Sequence, residues 1–380
     1  MGRNKVDIYN TIVQWCIFLA VNGLFVYKYV PRAGGDSLLC TMLYGILSTG
    51  FIWLYRAKIR TLITERLACI FTIFLTTCIV GLTSCFIFLI DPYTIQVDRW
   101  SATTFFLDAL RDGVYPYSVH THISETNFPS PFPLWHYLNI PFWLIGDVGW
   151  MQVAALIVFL WGVWYYFRSW RILLQVIVLL AISPAYWWEL VTRSDGVSNM
   201  LMVCTLILYI QRKPIEMENR WWLLALMAGC VASTRLSSVI PLALYLFKPW
   251  LDASWKQQLG FVGIAALIVF GFFAPYIFWD TETWVFFQRN PFITQTLQGN
   301  NIVLGIMILI AIAIAYNKQS FRYYTSTTSV FLFIFIVASQ LCVLWTTKEY
   351  TFANAALDIS YFTLAMPFTL IALAAPNNMD

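Results

Sequence analysis

Apolar residues run almost without interruption through most of this chain, and polar ones gather in a few short breaks. A helix needs about 20 apolar residues to cross the hydrocarbon core of a bilayer. Runs of that kind lie at 12–30, 38–55, 67–90, 149–167, 172–190, 196–211, 259–279, 302–316, 328–344 and 357–375. Two stretches fit less simply. Residues 134–146 are apolar but few and include Pro141, which predicts an interfacial helix; residues 221–247 are long for one crossing and carry Arg235 at their middle. The pattern predicts an all-α polytopic membrane protein with about ten to twelve transmembrane helices. They would form a single transmembrane domain over residues 1–380.

The long polar break is 91–141. It opens on Asp91 and Asp98 and continues into an amphipathic stretch from about Ser101 to Arg111, where Phe105, Phe106, Ala109 and Leu110 fall on one helical stripe. Gly113 ends that helix. Tyr115, Pro116 and Tyr117 follow, then His120, His122 and His136, with Pro129, Pro131 and Pro133 imposing an extended shape between the last two histidines. The expectation is a long first outer loop carrying a juxtamembrane amphipathic helix.

Composition agrees with the pattern. The chain is 60% hydrophobic and 11% charged, against about 25% charged in a soluble domain. A net charge of +4 is too small to argue for a nucleic-acid partner. Seven of the 8 cysteines lie inside apolar runs, where they act as small hydrophobes rather than as a disulfide framework. The first apolar run is too long for a signal-peptide core and reads as an anchor that stays.

Lys and Arg give an orientation. If 221–247 is a re-entrant hairpin, about two-thirds of the 23 lysines and arginines fall on the cytoplasmic side; a single crossing makes the asymmetry smaller. Either way Arg56–Arg66 faces the cytoplasm and 91–141 faces outward. The other outward stretches are the turn from Glu189 through Arg193 to Asp195, then 280–301 and 346–358. Most outer acids therefore line one face of the bilayer, and any chemistry is expected there.

The order of these parts resembles the type-C (GT-C fold) membrane glycosyltransferases. Asp98-Arg99-Trp100 leads into the helix ending at Arg111; Gly113-Val-Tyr-Pro116-Tyr117 forms the turn; Pro129–Pro133 approaches the next helix. Ser183-Pro184 to Asp195, Ala228-Gly229 to Arg235 and Pro241, and Tyr361 to Pro367 match further parts of the pattern. The chain departs from it at Asp358, near where members often carry an arginine. The resemblance implies transfer of a monosaccharide, with inversion, from a polyprenyl phosphosugar to a lipid or glycan acceptor. This would occur at the outer face of a bacterial inner membrane, among membrane lipids and without a cofactor.

Such chemistry needs one carboxylate to take the acceptor's proton and cations to hold the departing phosphate. Asp98 is the candidate base, with a helix N-cap as its alternative role; Asp91, next to Pro92, is the rival base, with a helix stop signal as its alternative. Arg235 is the candidate phosphate ligand or, alternatively, an arginine snorkelling to the interface. Arg193, with Glu189 and Asp195, forms either a surface ion pair or a set that positions the sugar donor. Tyr115, Tyr117, His120 and His122 are candidates for lining a sugar pocket. His120, His122 and Glu125 have a spacing at which a metal could bind, but polar surface accounts for them as well, and no metal is expected. The competing classes are a flippase or transporter for a lipid-linked glycan and a non-catalytic subunit docking through 91–141. Transporters carry repeated halves and mid-membrane polar residues, and the sequence shows no repeat and, of such residues, only Arg235.

Overall fold

The structure, a computed structural model, describes residues 3–55, 62–213, 215–296, 300–317, 320–347 and 357–375. Every element among them is helical. In chain order these are α1 (Arg3–Tyr29), α2 (Ser37–Leu54), α3 (Glu65–Leu89), α4 (Arg99–Arg111), α5 (Pro133–Leu144) and α6 (Trp150–Phe167). Then come α7 (Trp170–Ala181), α8 (Pro184–Val191), α9 (Asp195–Arg212), α10 (Met217–Ala232), α11 (Leu236–Asp252) and α12 (Trp255–Ile277). Last are α13 (Val285–Gln288), α14 (Pro291–Thr296), α15 (Asn301–Tyr316), α16 (Phe321–Thr347) and α17 (Met366–Ala374). Arg56, Lys58, Arg60, Lys318, Lys348 and Glu349 of the expected charge pattern lie outside the described residues, as does most of 346–358.

This is an integral membrane protein. Among the described residues six helices are long and apolar enough to cross a bilayer: Ile8–Ala33, Ser37–Leu54, Glu65–Leu89, Trp150–Phe167, Trp255–Ile277 and Phe321–Thr346. Two bent pairs bring the total to eight if each is one span: Trp170–Ala181 with Pro184–Val191, bent by 70°, and Val285–Thr296 with Asn301–Tyr316, bent by 66°. The apolar runs suggest ten to twelve; among the described residues six to eight meet the length and composition of a crossing, and local breaks interrupt several of the other runs. The run at 172–190 turns sharply at Ser183-Pro184, since proline has no N–H to continue α7. The run at 221–247 is interrupted by Ser233, Thr234 and Arg235, with Arg235 extended at φ −156° and ψ 151°. The run at 357–375 begins as a 3-10 segment, Ile359–Ala365, which Asp358 caps by accepting from the Ser360 N–H at 2.9 Å.

The chain divides into two compact units. Unit 1 comprises Met1–Thr83, Ile157–Leu190 and Gln319–Asp380. Its centre is α17, buried along all its residues and packed by α1, α7 and α16. Polar side chains tie its helices together: Gln175 Nε2 donates to the Leu373 carbonyl at 3.0 Å, and the Ser329 and Thr369 hydroxyls lie 2.7 Å apart. Asn22 on α1 serves the break between α7 and α8. Its Oδ1 accepts from the Ser183 hydroxyl at 2.5 Å and the Ala185 N–H at 3.1 Å, satisfying an N–H that the break exposes.

Unit 2 comprises Ser84–Leu156 and Val191–Lys318. Its core is aromatic: Phe106, Tyr115, Tyr117, Phe132, Phe273, Tyr276 and Phe286 bury together with Leu107 and Val148. Helices α10 and α12 approach closely because glycine lines the contact. A Cβ at Gly229 would lie 2.7 Å from Ile268 Cβ, and one at Gly260 would lie 2.7 Å from the Trp221 ring.

Candidate functional site

The loop after α3 starts with a tight turn made by Asp91. Its side chain accepts from the Tyr93 N–H at 3.0 Å and its carbonyl from the Thr94 hydroxyl at 2.7 Å, closing a 3-10 turn over Pro92–Thr94. Asp91 is exposed and its geometry is that of a turn residue.

Asp98 stands at the N-cap of α4, yet its side chain makes no capping hydrogen bond. Its φ of −86° and ψ of 4° lie away from the extended conformation of a capping residue. The carboxylate turns instead to the loop, where Asn127 Nδ2 donates to Oδ2 at 3.0 Å. Asp98 is half-buried. Helix α4 then runs to Arg111, and Gly113, at φ 70°, makes the left-handed turn that stops it. The face α4 buries carries Ala102, Phe106, Leu107 and Ala109, while Phe105 and Leu110 lie at its edge.

His122 pins the loop to the start of α4. Its Nε2 lies 3.1 Å from the Ile95 carbonyl, which can only accept, so Nε2–H donates to it, and its Nδ1 lies 2.6 Å from the Ser101 hydroxyl. Both ring nitrogens are thereby spent. His120 is exposed and packs on Phe128 with ring centroids 4.8 Å apart. Glu125 is exposed, and among the described residues no three His, Cys, Asp or Glu side chains gather as metal ligands.

Tyr115 and Tyr117 are buried with committed hydroxyls: Tyr115 donates to the Arg289 carbonyl at 2.7 Å and Tyr117 to the Pro131 carbonyl at 3.1 Å. Burial pushes both phenols up from their ordinary range. They build the aromatic core and do not present free hydroxyls to a sugar. His136 belongs to the same core. It is fully buried and stacks on Phe106 with centroids 3.6 Å apart; its Nε2–H donates to the Pro131 carbonyl at 3.1 Å, and among the described residues its Nδ1 has no partner. Burial, reinforced by the positive charge of Arg235 and opposed by the Pro131 carbonyl, pushes the imidazole down to about 3, so it stays neutral.

The second half of the site is a buried charge system. Arg193 adopts a left-handed conformation, φ 51°, which swings its side chain inward. Its Nε donates to both oxygens of Asp147 at 3.2 and 3.0 Å, Nη1 to the Val191 carbonyl at 3.3 Å, and Nη2 to the carbonyls of Phe86, Ile87 and Ile90 at 3.4, 3.1 and 3.0 Å. These last carbonyls are the open end of α3. Arg193 is a staple with no spare face for a phosphate. Gly149 fits against it, since a Cβ there would lie 2.8 Å from Arg193 Cγ and 2.9 Å from Asp147 Oδ1. Burial raises the Asp147 carboxyl above its usual range, although Arg193 pulls it back.

Arg235 differs. It sits at the α10–α11 break, 4% exposed, and its Nη1 pairs with the Asp195 carboxylate. Among the described residues Asp195 is its one hydrogen-bond acceptor. The break is held from outside. Phe132 and Leu134 donate their N–H groups to the Thr234 and Ser233 carbonyls at 2.9 and 3.1 Å. Gln295 accepts from the Leu236 N–H at 2.9 Å and donates to the Ser130 carbonyl at 2.5 Å. Around Asp195 the polar side chains pair off: Gln152 with the Ser194 carbonyl and the Ser198 hydroxyl, and Ser238 with Asn199.

Glu189 belongs to unit 1, where it is fully buried and accepts from the Thr363 hydroxyl at 3.4 Å. Among the described residues Arg193 and Asp195 each pair with another partner. Arg193 pairs with Asp147 and Asp195 with Arg235; Arg193, Asp195 and Arg235 are buried and Asp147 is half-buried. Sequence reasoning missed Asn127, Gln295, His136 and the buried Asn22, Gln152, Ser198 and Asn199. The last four stand inside apolar runs, which was a usable signal; Arg235 is not alone among polar residues there.

No family model, curated protein or solved structure matches this chain.

Proposed function

We propose that this chain is a membrane glycosyltransferase, moving a monosaccharide from a polyprenyl phosphate to a lipid or glycan acceptor at the extracytoplasmic face of a bacterial inner membrane. The observation that carries the reading is Arg235. A buried cation at a helix break is expensive unless it has a partner or a task, and this guanidinium has five N–H groups and, among the described residues, the Asp195 carboxylate alone to receive them. Charge building on a leaving phosphate is what the remaining donors suit.

In this reading the acceptor hydroxyl gives its proton to Asp98, its oxygen bonds to the anomeric carbon, and the bond from that carbon to the phosphate oxygen breaks. Polyprenyl phosphate leaves with the electron pair, towards Arg235. Attack opposite the leaving group inverts the anomeric centre. Asp98 suits the base because its side chain is not spent on capping α4; Asp91 is spent on its turn. Glu189 lies in unit 1 and enters the reading through the resemblance alone.

A second reading, a flippase for a lipid-linked glycan, draws on the 70° break between α7 and α8, since broken helices recur in transporters. Asn22 already fills that break, which favours a structural role for it. The test is the purified protein in vesicles with a panel of defined polyprenyl phosphosugars, following both glycosyl transfer and movement of labelled lipid across the bilayer. Transfer without movement supports the first reading, and movement without transfer replaces it by the second.

A further inference from the structure

Asp98 is fixed through its main chain and through one oxygen of its side chain. Its carbonyl accepts from the Ala102 N–H at 2.9 Å and the Ser101 hydroxyl at 3.1 Å, as the first turn of α4 requires. Its Oδ2 accepts from Asn127, and among the described residues no other group donates to the carboxylate.

Asn127 is itself held on both sides. Its N–H donates to the Ser124 carbonyl at 3.2 Å and its carbonyl accepts from the Thr121 N–H at 2.9 Å, closing the loop 121–127 on itself. The loop is tied to α4 at a second point, where the His122 N–H and ring both meet the Ser101 hydroxyl. Ser101 and Asp98 are adjacent on the first turn. The His122 anchor thus sets where the loop lies, and the Asn127 anchor reaches the carboxylate.

We propose that Asn127 is the positioning residue of the site, holding Oδ2 of Asp98 so that Oδ1 is the oxygen that meets the acceptor hydroxyl. The assignment rests on Asp98 being the base. An amide suits the task because its N–H donates to a carboxylate without adding charge. A carboxylate free to turn about its last bond would present the wrong oxygen much of the time, and misplacement of about 1 Å costs a proton transfer about 10²-fold.

The test is a double-mutant cycle on the full-length purified protein, with sugar-donor affinity and single-turnover transfer measured separately. Asn127→Ala should lower transfer by about 10²-fold with sugar-donor affinity unchanged. Asn127→Asp, which faces the base with a second carboxylate, should lose at least as much. In an Asp98→Asn background Asn127→Ala should cost nothing further, because the two residues act as a unit. Equal losses in both backgrounds, or no loss in either, would overturn the role of Asn127 and leave Asp98 in place. Full transfer by Asp98→Asn alone would remove the base reading and this assignment together.

Discussion

Two arginines in unit 2 show how the same side chain is used in opposite ways. Arg193 is surrounded by acceptors: the Asp147 carboxylate and the carbonyls of Val191, Phe86, Ile87 and Ile90 take its donors. Arg235 is equally buried and, among the described residues, has Asp195 alone. A planar five-donor group inside a membrane protein is stabilised by filling its fork. Where the fork is filled the residue is structural; where it is not, the surplus is the reason to look for a ligand.

The largest expected effect is on folding. Arg193→Ala removes the cation from the half-buried Asp147 carboxylate and opens the carbonyls at the end of α3, and should cost about 3–5 kcal/mol, read as loss of thermal stability in detergent. Arg235→Ala should also destabilise, by stranding Asp195. The second variant, Asp195→Asn, should restore most of that loss, whereas Asp147→Asn should not rescue Arg193→Ala, because the carbonyls stay open. Rescue in both pairs would mean the two arginines are alike.

A smaller effect should follow from Gly149→Ala. Its methyl would press on Arg193 Cγ and Asp147 Oδ1 at under 3 Å, costing about 1–3 kcal/mol as overpacking does. Transfer by the protein that remains folded should be normal, which separates the staple from the site.

The smallest concerns pH. His136 is neutral in the fold with its value pushed down to about 3, against 6.5 when unfolded. The unfolded chain therefore takes up a proton first as pH falls. The stability that neutral His136 contributes is complete above pH 6.5 and is lost as pH falls from 6.5 towards 3. His136→Phe keeps the stack on Phe106 and should flatten stability against pH over that window; an unchanged slope would assign it to other groups.

How much of this could be read from the chain differs along it. Apolar runs showed the membrane class, because length and hydropathy alone decide whether a helix can cross. They gave more runs than the six to eight candidate spans among the described residues, since an apolar run does not reveal that Ser233–Arg235 leaves helical geometry. Arg235 stood out because a charge in an apolar run is costly. The difference between Arg193 and Arg235 was invisible: it depends on Asp147 and on the end of α3, which are distant in sequence and brought to Arg193 by its left-handed backbone. Asn127 was hidden for the same reason, as a polar loop residue whose partner lies 29 residues away.

The measurement that bears most directly on the account is single-turnover transfer by Asp98→Asn, with sugar-donor binding measured on the same preparation. Asparagine keeps the shape and removes the proton acceptor. Transfer should fall by about 10²–10⁴-fold while sugar-donor affinity stays at the wild-type level, since Arg235 is untouched. Transfer at the wild-type rate would contradict the assignment of Asp98 as the base.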